Sequence, residues 1–293
     1  MPASSAATSA ETDLAFIRAQ GAATSAEVQA RLGVSQPTAS RTLAPLVRGA
    51  ELLKVGAARS QTYVAPRSVE RVGTEVPVVR IDAQGKAAPF GRLVPLHGGR
   101  CWMDEREGLS ALHDGLSWFI ADMRPQGFIG RAFAQGHPEL GLPANPEHWT
   151  DDDVLQALAL NGEDLPGNLV VGAGSFQRFQ AIAASPAPPV TTSDYPAMAD
   201  RAMQGSLPGS SAGGEQPKFC TVREGRQVIV KFSPSGSSAA ERRARDLLVC
   251  EHIALRTLRE AGVAAAATQI LLEAGRVFLE VERFDRTAHG RIG

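Results

Sequence analysis

The alternation of apolar and polar positions along the chain gives several stretches of different rhythm. Near the start, Leu14, Phe16 and Ile17 within residues 13–20, and Val28 and Leu32 within residues 26–32, recur at helical spacing, so each stretch can turn one apolar stripe inward. Ser25 is placed to cap the second helix and Gly33 to stop it. A third helix is predicted over residues 36–47, with Ser35 as cap, Pro37 in the first turn, and Leu43, Leu46 and Val47 toward a core. Pro45 removes a backbone donor and predicts a kink or an early end there. Residues 52–55 and 61–64, around a small-residue turn at 56–60, read as a hairpin.

From residue 76 the period shortens to two. PVVRID (77–82), PFGRLVPL (89–96) and RCWM (100–103) predict a β-meander, with turns at Gly85 and at residues 97–99. Residues 109–120 and 151–160 read as helices, the latter opening on three Asp at the positive end of its dipole. Residues 183–196, rich in Pro, Ser and Thr, predict an extended linker. The last stretch predicts strands at 220–222 and 227–232 hinged at 224–226, a long helix over 239–261, and strands at 268–272 and 276–281. The fold class expected is α+β, in three domains: 1–67, 68–190 and 191–293.

Composition narrows the picture. The chain has 293 residues, 43% hydrophobic and 21% charged, in the range of ordinary globular proteins and enough for about two domains. No apolar run approaches the ~20 residues a bilayer crossing needs, and the first ten residues lack the pattern of a secretory signal. Cys101, Cys220 and Cys250 are too scattered for a disulfide framework or a zinc site, so a reducing cytoplasm is expected. The net charge of −1 is unevenly divided: residues 1–67 carry +3, residues 68–204 carry −7 and residues 205–293 carry +3. Basic ends suit anionic partners such as nucleic acid or nucleotide phosphate.

The predicted third helix points Gln36, Thr38, Ser40 and Arg41 outward, short hydrogen-bonding groups of the kind that reach base edges, while Lys54 and Arg59 fall on or beside the hairpin. The run GVSQPTASRTLAPLVRGAELL resembles the recognition region of bacterial winged-helix regulators, a likeness covering residues 11–67 and implying a winged helix-turn-helix that binds DNA or, alternatively, serves protein contacts or dimerisation. The Asp cluster at 151–153 is explained by a helix N-terminus without an ion, and no His spacing suits a metal.

The sharpest chemistry lies at 209–232. In GSSAGGEQPKF, small residues let backbone N–H groups approach anionic oxygens, and Lys218 follows as a mobile cation. In VIVKF, alternation sends Lys231 to the side of Ile229. A lysine on a largely buried strand needs an anionic partner, and phosphate or carboxylate would both serve. Glu251 lies twenty residues on, near the buried side of the long helix. Glycine-rich turn, strand lysine, helix glutamate, strand pair and a polar-aromatic connector, in that order, is how kinases hold ATP.

With SSAGGEQPK, IVKFSP, CEHIALRTLREAG and VERFDR in place, and FGRLVPL and LNGEDLPGNLVVG before them, residues 76–293 resemble the HipA-like serine/threonine kinases of bacterial toxin–antitoxin modules. The fused head is similar to the YjjJ-type subgroup. The resemblance implies a HipA-type N-terminal α+β domain followed by a kinase-like N-lobe. It implies ATP held by Ser211, Gly213, Gly214, Lys218, Lys231 and Glu251, with Glu282 and Phe284 beside the adenine. Ser210 matches the serine whose autophosphorylation ejects the loop. The family's catalytic Asp and Asn groups, and with them Mg2+, lie beyond the connector, so no catalytic residue is expected in these 293 residues. The chain then reads as part of a longer kinase or as a truncated regulator. The partners implied are DNA through residues 1–67, a protein substrate such as an aminoacyl-tRNA synthetase, and a second copy of the chain. A transcription regulator whose C-terminal part dimerises or senses a ligand is the alternative.

Overall fold

The computed structural model describes residues 3–56, 61–185, 190–204 and 214–293. The chain splits into two compact units, one of residues 1–78 and 89–121 and one of residues 79–88 and 122–293. The architecture is α+β with antiparallel sheets. No described helix is long and apolar enough to cross a membrane.

The first unit opens with α1 (Ala3–Gln20), β1 (Ala22–Thr24), α2 (Ser25–Leu32) and α3 (Gln36–Arg48), followed by β2 (Leu53–Val55) and β3 (Thr62–Val64). Leu14, Ile17, Val28, Ala39, Leu43, Leu46 and Leu52 close one core, joined by Tyr63 from the sheet. The cap of α2 is Thr24, not Ser25: the Glu27 N–H donates to Thr24 Oγ1 and the Thr24 N–H donates to Glu27 Oε2 at 2.7 Å, while Ser25 is already helical and buried. Gly33 ends the helix at φ 64°, as a left-handed stop should. Pro45 neither ends nor shortens α3, which runs to Arg48 with Leu43 and Leu46 anchored on either side of it. The short β1 was not legible from alternation; it pairs antiparallel with β3, which also pairs with β2.

Asp13 of α1 is 4% exposed, and its Oδ2 has no hydrogen-bond partner. Burial raises its carboxyl above the ordinary range, and Arg31 of α2 draws it back only in part. The folded state therefore holds this proton more tightly than the unfolded state. The resulting stability is fully present at low pH and is lost as pH rises through the raised folded value. Asp13→Asn is expected to raise the thermal unfolding midpoint at pH 7 by a few degrees, about 1 kcal/mol. That gain should vanish once the pH drops below the ordinary value of 3.8; an equal gain at both pH values in a melting series would refute the account.

After β4 (Val76–Ile81), the strands β5 (Ala87–Leu96), β6 (Arg100–Glu105) and β7 (Ala111–Asp114) form the meander, with Leu93 opposite Met103 and Cys101 opposite His113. Residues 109–120 are thus not a helix. Gly115, at φ 76°, interrupts the run, and only α4 (Trp118–Ala121) is helical. Backbone bonds tie this meander to the first core: Ala65 donates to the Gly21 carbonyl at 2.8 Å, and His97 donates to the Ala65 carbonyl at 3.0 Å.

The second unit carries α5 (Gly127–Gly136), α6 (Asp151–Asn161), β8 (Leu169–Val171), α7 (Ala173–Ala184) and α8 (Tyr195–Met203). Thr150 caps α6 reciprocally with Asp153, so that carboxylate is used by the helix start, and no metal-ligating cluster occurs among the described residues. The stretch at 183–196 is only partly a linker. Residues 183–184 finish α7, residues 192–194 make a helical turn capped from Thr191, and Tyr195 opens α8 fully buried.

The strands β9 (Lys218–Arg223), β10 (Arg226–Phe232), β11 (Thr268–Glu273) and β12 (Arg276–Glu282) form a sheet in the order β11-β12-β10-β9, with α9 (Ala239–Glu260) between the two hairpins in sequence. Both hairpins turn on two residues of positive φ, Glu224-Gly225 and Ala274-Gly275. One face of the sheet, with Phe219, Val228, Val230, Phe232 and Phe278, packs on Tyr195, Ala199 and Ala202 of α8. The other face lays Val277 and Leu279 against Leu248 of α9.

Candidate functional site

Strand alternation fixes what the second face offers. Lys231 of β10 stands opposite Lys218 of β9 and Leu279 of β12, on the side covered by α9. Glu251 reaches this face from α9, and Lys231 Nζ lies 2.5 Å from Glu251 Oε1 with both side chains partly exposed. Of the two anions that would serve Lys231, the carboxylate is in place.

Lys218 is not a mobile cation after a loop: β9 begins at it, and it is 4% exposed. Its ammonium donates to the Gly214 carbonyl at 3.2 Å. Burial, reinforced by the charge of Lys231, pushes its pKa down from 10.5, which Glu251 and Glu215 oppose. Two ammonium groups thus share one face, where Glu251 bonds Lys231 and Glu215 is taken up by Arg131, an arrangement that favours an added anion. Gly214 holds φ 99°, backbone that side chains rarely adopt. Ser210, Ser211 and Gly213 lie outside the described residues, as does Arg59.

The connector departs from expectation in part. Glu282 pairs with Val228, so its carboxylate falls on the α8 face, 4.0 Å from Arg226 and away from Lys231. Phe284 is 88% exposed. Its neighbours are buried: Arg283 donates two bonds to Asp285 at 2.9 and 2.8 Å, and Arg286 joins Asp285 to Asp164 and to the carbonyls of Leu165 and Gly167. Burial would raise the Asp285 carboxyl, but Arg283 and Arg286 outweigh it and hold it below its usual value. Asp285 is therefore spent on structure.

Sequence reasoning missed a second buried ionic group. On the α8 face Glu280 accepts from Tyr195 Oη at 2.6 Å and from Arg223 Nε at 2.7 Å, and Arg223 also donates to Gln269. A lone acid within the apolar strand VFLEV was the available signal, but its hydrogen-bond partners sit on two other elements, α8 and β9.

In the first unit, Gln36 and Arg41 of α3 are exposed, and Thr38 and Ser40 are half-buried. Thr38 Oγ1 lies 3.2 Å from Ser35 Oγ and accepts a long bond from Arg41 at 3.4 Å. Lys54 is exposed on β2.

Comparison with known proteins places these elements. Residues 72–180 match the family described as YjjJ-like toxin, middle domain, and residues 210–293 match the HipA-like C-terminal domain. Over 283 residues the chain is 36% identical to the protein named Toxin YjjJ of Escherichia coli (strain K12), an alignment covering 93% of this chain and 63% of that protein.

Proposed function

The chain belongs to the HipA-like toxin family, and from that premise we propose that its second unit grips ATP as the N-lobe of a protein serine/threonine kinase. The observation that carries this reading is the Lys231–Glu251 pair at 2.5 Å on a sheet face that also holds Lys218. In such a lobe the lysine holds phosphate oxygens and the helix glutamate fixes the lysine. The residues present fit a triphosphate: two ammonium groups stand on neighbouring strands, one of them held by the carbonyl of Gly214, whose φ of 99° suits the glycine there. ATP would supply the transferable phosphoryl group, and the chain would bind and orient it by charge. Mg2+, a catalytic Asp and a protein substrate such as an aminoacyl-tRNA synthetase are proposed only with the part of the relative's length that this alignment does not span. An antitoxin partner and action in the cytoplasm follow from the same reading. The test is calorimetric or thermal titration of the chain with MgATP. A saturable shift supports the reading, and its absence at millimolar nucleotide refutes it.

A second role is compatible and has its own support. Gln36 and Arg41 are exposed on α3, Thr38 and Ser40 are half-buried next to them, and the basic Lys54 is exposed on β2. We propose that this head is a winged helix-turn-helix that binds DNA through the first turns of α3. Arg41→Ala is expected to weaken binding of a promoter fragment by about 1–3 kcal/mol and, if Arg41 meets a phosphate, to lower the salt slope by about one. Fluorescence anisotropy across a salt series checks both, and unchanged affinity would exclude α3 as the reading element.

A further inference from the structure

We propose that α5, from the region matched to the middle domain, is part of the nucleotide site, with Gly127, Phe128 and Arg131 acting as positioning residues for Lys218. The inference rests on the kinase reading above. The Gly214 carbonyl receives two donors, the Phe128 N–H of α5 at 3.1 Å and the Lys218 ammonium at 3.2 Å. The carbonyl that places the buried ammonium is therefore itself placed by the first turn of α5.

Three further contacts hold the same point. Gly127 takes φ +58°, and a Cβ there would stand 2.5 Å from the Gly214 oxygen and 2.8 Å from its carbon, so the two backbones touch with no room for a side chain. One turn along α5, Arg131 grips Glu215 with both terminal nitrogens, at 2.5 and 3.2 Å. The Phe128 ring meets Phe232, the neighbour of Lys231, edge to face at a centroid distance of 6.5 Å. Together these contacts set the root of the glycine-bearing segment and the strand of Lys231 from one helix.

The charges around Lys218 show why its position matters. It is faced by Lys231 of β10, Glu251 of α9, Cys220 on its own strand and Glu215 just before it. An ammonium desolvated in this way contributes most to an anion when its geometry is fixed in advance. The Arg131–Glu215 pair is partly exposed, so it adds little to folding stability. Its effect lies in placement.

The experiment compares MgATP affinity of the whole chain with that of Arg131→Ala, Gly127→Ala and the charge exchange Arg131→Glu with Glu215→Arg. Arg131→Ala is expected to weaken ATP about tenfold, with the unliganded melting point within about two degrees of the parent. The charge exchange should recover most of that loss, and it is the level unliganded melting point in Arg131→Ala and in the exchange that a merely structural role would not predict. Amide hydrogen exchange at residues 214–218 should quicken in both single variants. If the parent binds ATP and both single variants bind it as tightly, the inference is overturned while the kinase reading stands. A parent without ATP affinity brings down the kinase reading and this inference with it, and the exchange data then report on the contact alone. Should Gly127→Ala fail to fold, Arg131→Ala and the charge exchange decide the matter.

Discussion

Replacing Lys231 with alanine is expected to cost about 100-fold or more in ATP affinity or phosphoryl transfer while leaving the fold in place. The asymmetry follows from geometry. The Lys231–Glu251 contact of 2.5 Å joins side chains that keep 23% and 31% of their exposure, so the pair contributes little to folding. Its removal also relieves the repulsion between Lys231 and Lys218, which face each other across the strands. The unliganded melting point should therefore stay level or rise slightly, and the shift produced by MgATP should disappear. Lys231→Arg should not restore binding, because a planar fork cannot occupy the place of a compact ammonium held by one carboxylate oxygen. A full nucleotide-dependent shift in Lys231→Ala would end the kinase reading.

The largest effect on stability should come from a residue remote from that chemistry. Glu280→Ala is expected to destabilise the second unit by about 3 kcal/mol, because it takes away the buried carboxylate of Arg223 and leaves that guanidinium only the exposed Glu224 and the Gln269 amide. The side chains of Arg223 and Glu280 retain only 10% and 4% of their exposure. The bond to Glu280 is the chief reason that the Arg223 guanidinium holds its proton more firmly than usual. Burial, then the bond to Glu280, pushes the Tyr195 hydroxyl up as well, so it remains a neutral donor. Tyr195→Phe removes one donor only and should cost about 1–2 kcal/mol. In denaturant titrations the ranking Glu280→Ala well below Tyr195→Phe is the expected result, and equal midpoints would refute the account.

What the sequence made legible was whatever depended on neighbours within a turn or two. The helices of the head follow from their stripes and from Gly33, although the cap moved by one residue to Thr24, because two hydroxyl residues stood side by side and only the reciprocal bond with Glu27 separates them. Lys231 was visible as the one cation in an apolar strand, and Glu251 by its place on the long helix. The same alternation, carried through to β12, assigns the Glu282 carboxylate to the far face, since it pairs with Val228, which points away from Lys231's side of the sheet. Elements whose identity depends on distant pairing were not legible. Residues 111–114 become a strand through β6, and Tyr195 leaves the apparent linker for the core through Glu280 and the phenylalanines of the sheet. The bond from Phe128 of α5 to Gly214 joins positions 86 residues apart, and no local rhythm announces it.

The lock of Asp164 and the 165–167 carbonyls on Arg283, Asp285 and Arg286 bears on how such chains can diversify. It bridges the two segments that match separate families, so neither segment is free to drift or be exchanged by recombination alone. A swap of one segment between relatives that lacks the matching loop leaves two buried guanidinium groups, Arg283 and Arg286, sharing Asp285 without Asp164 or the loop carbonyls. Inheritance should therefore keep the GEDLPG loop and the ERFDR run as a matched pair.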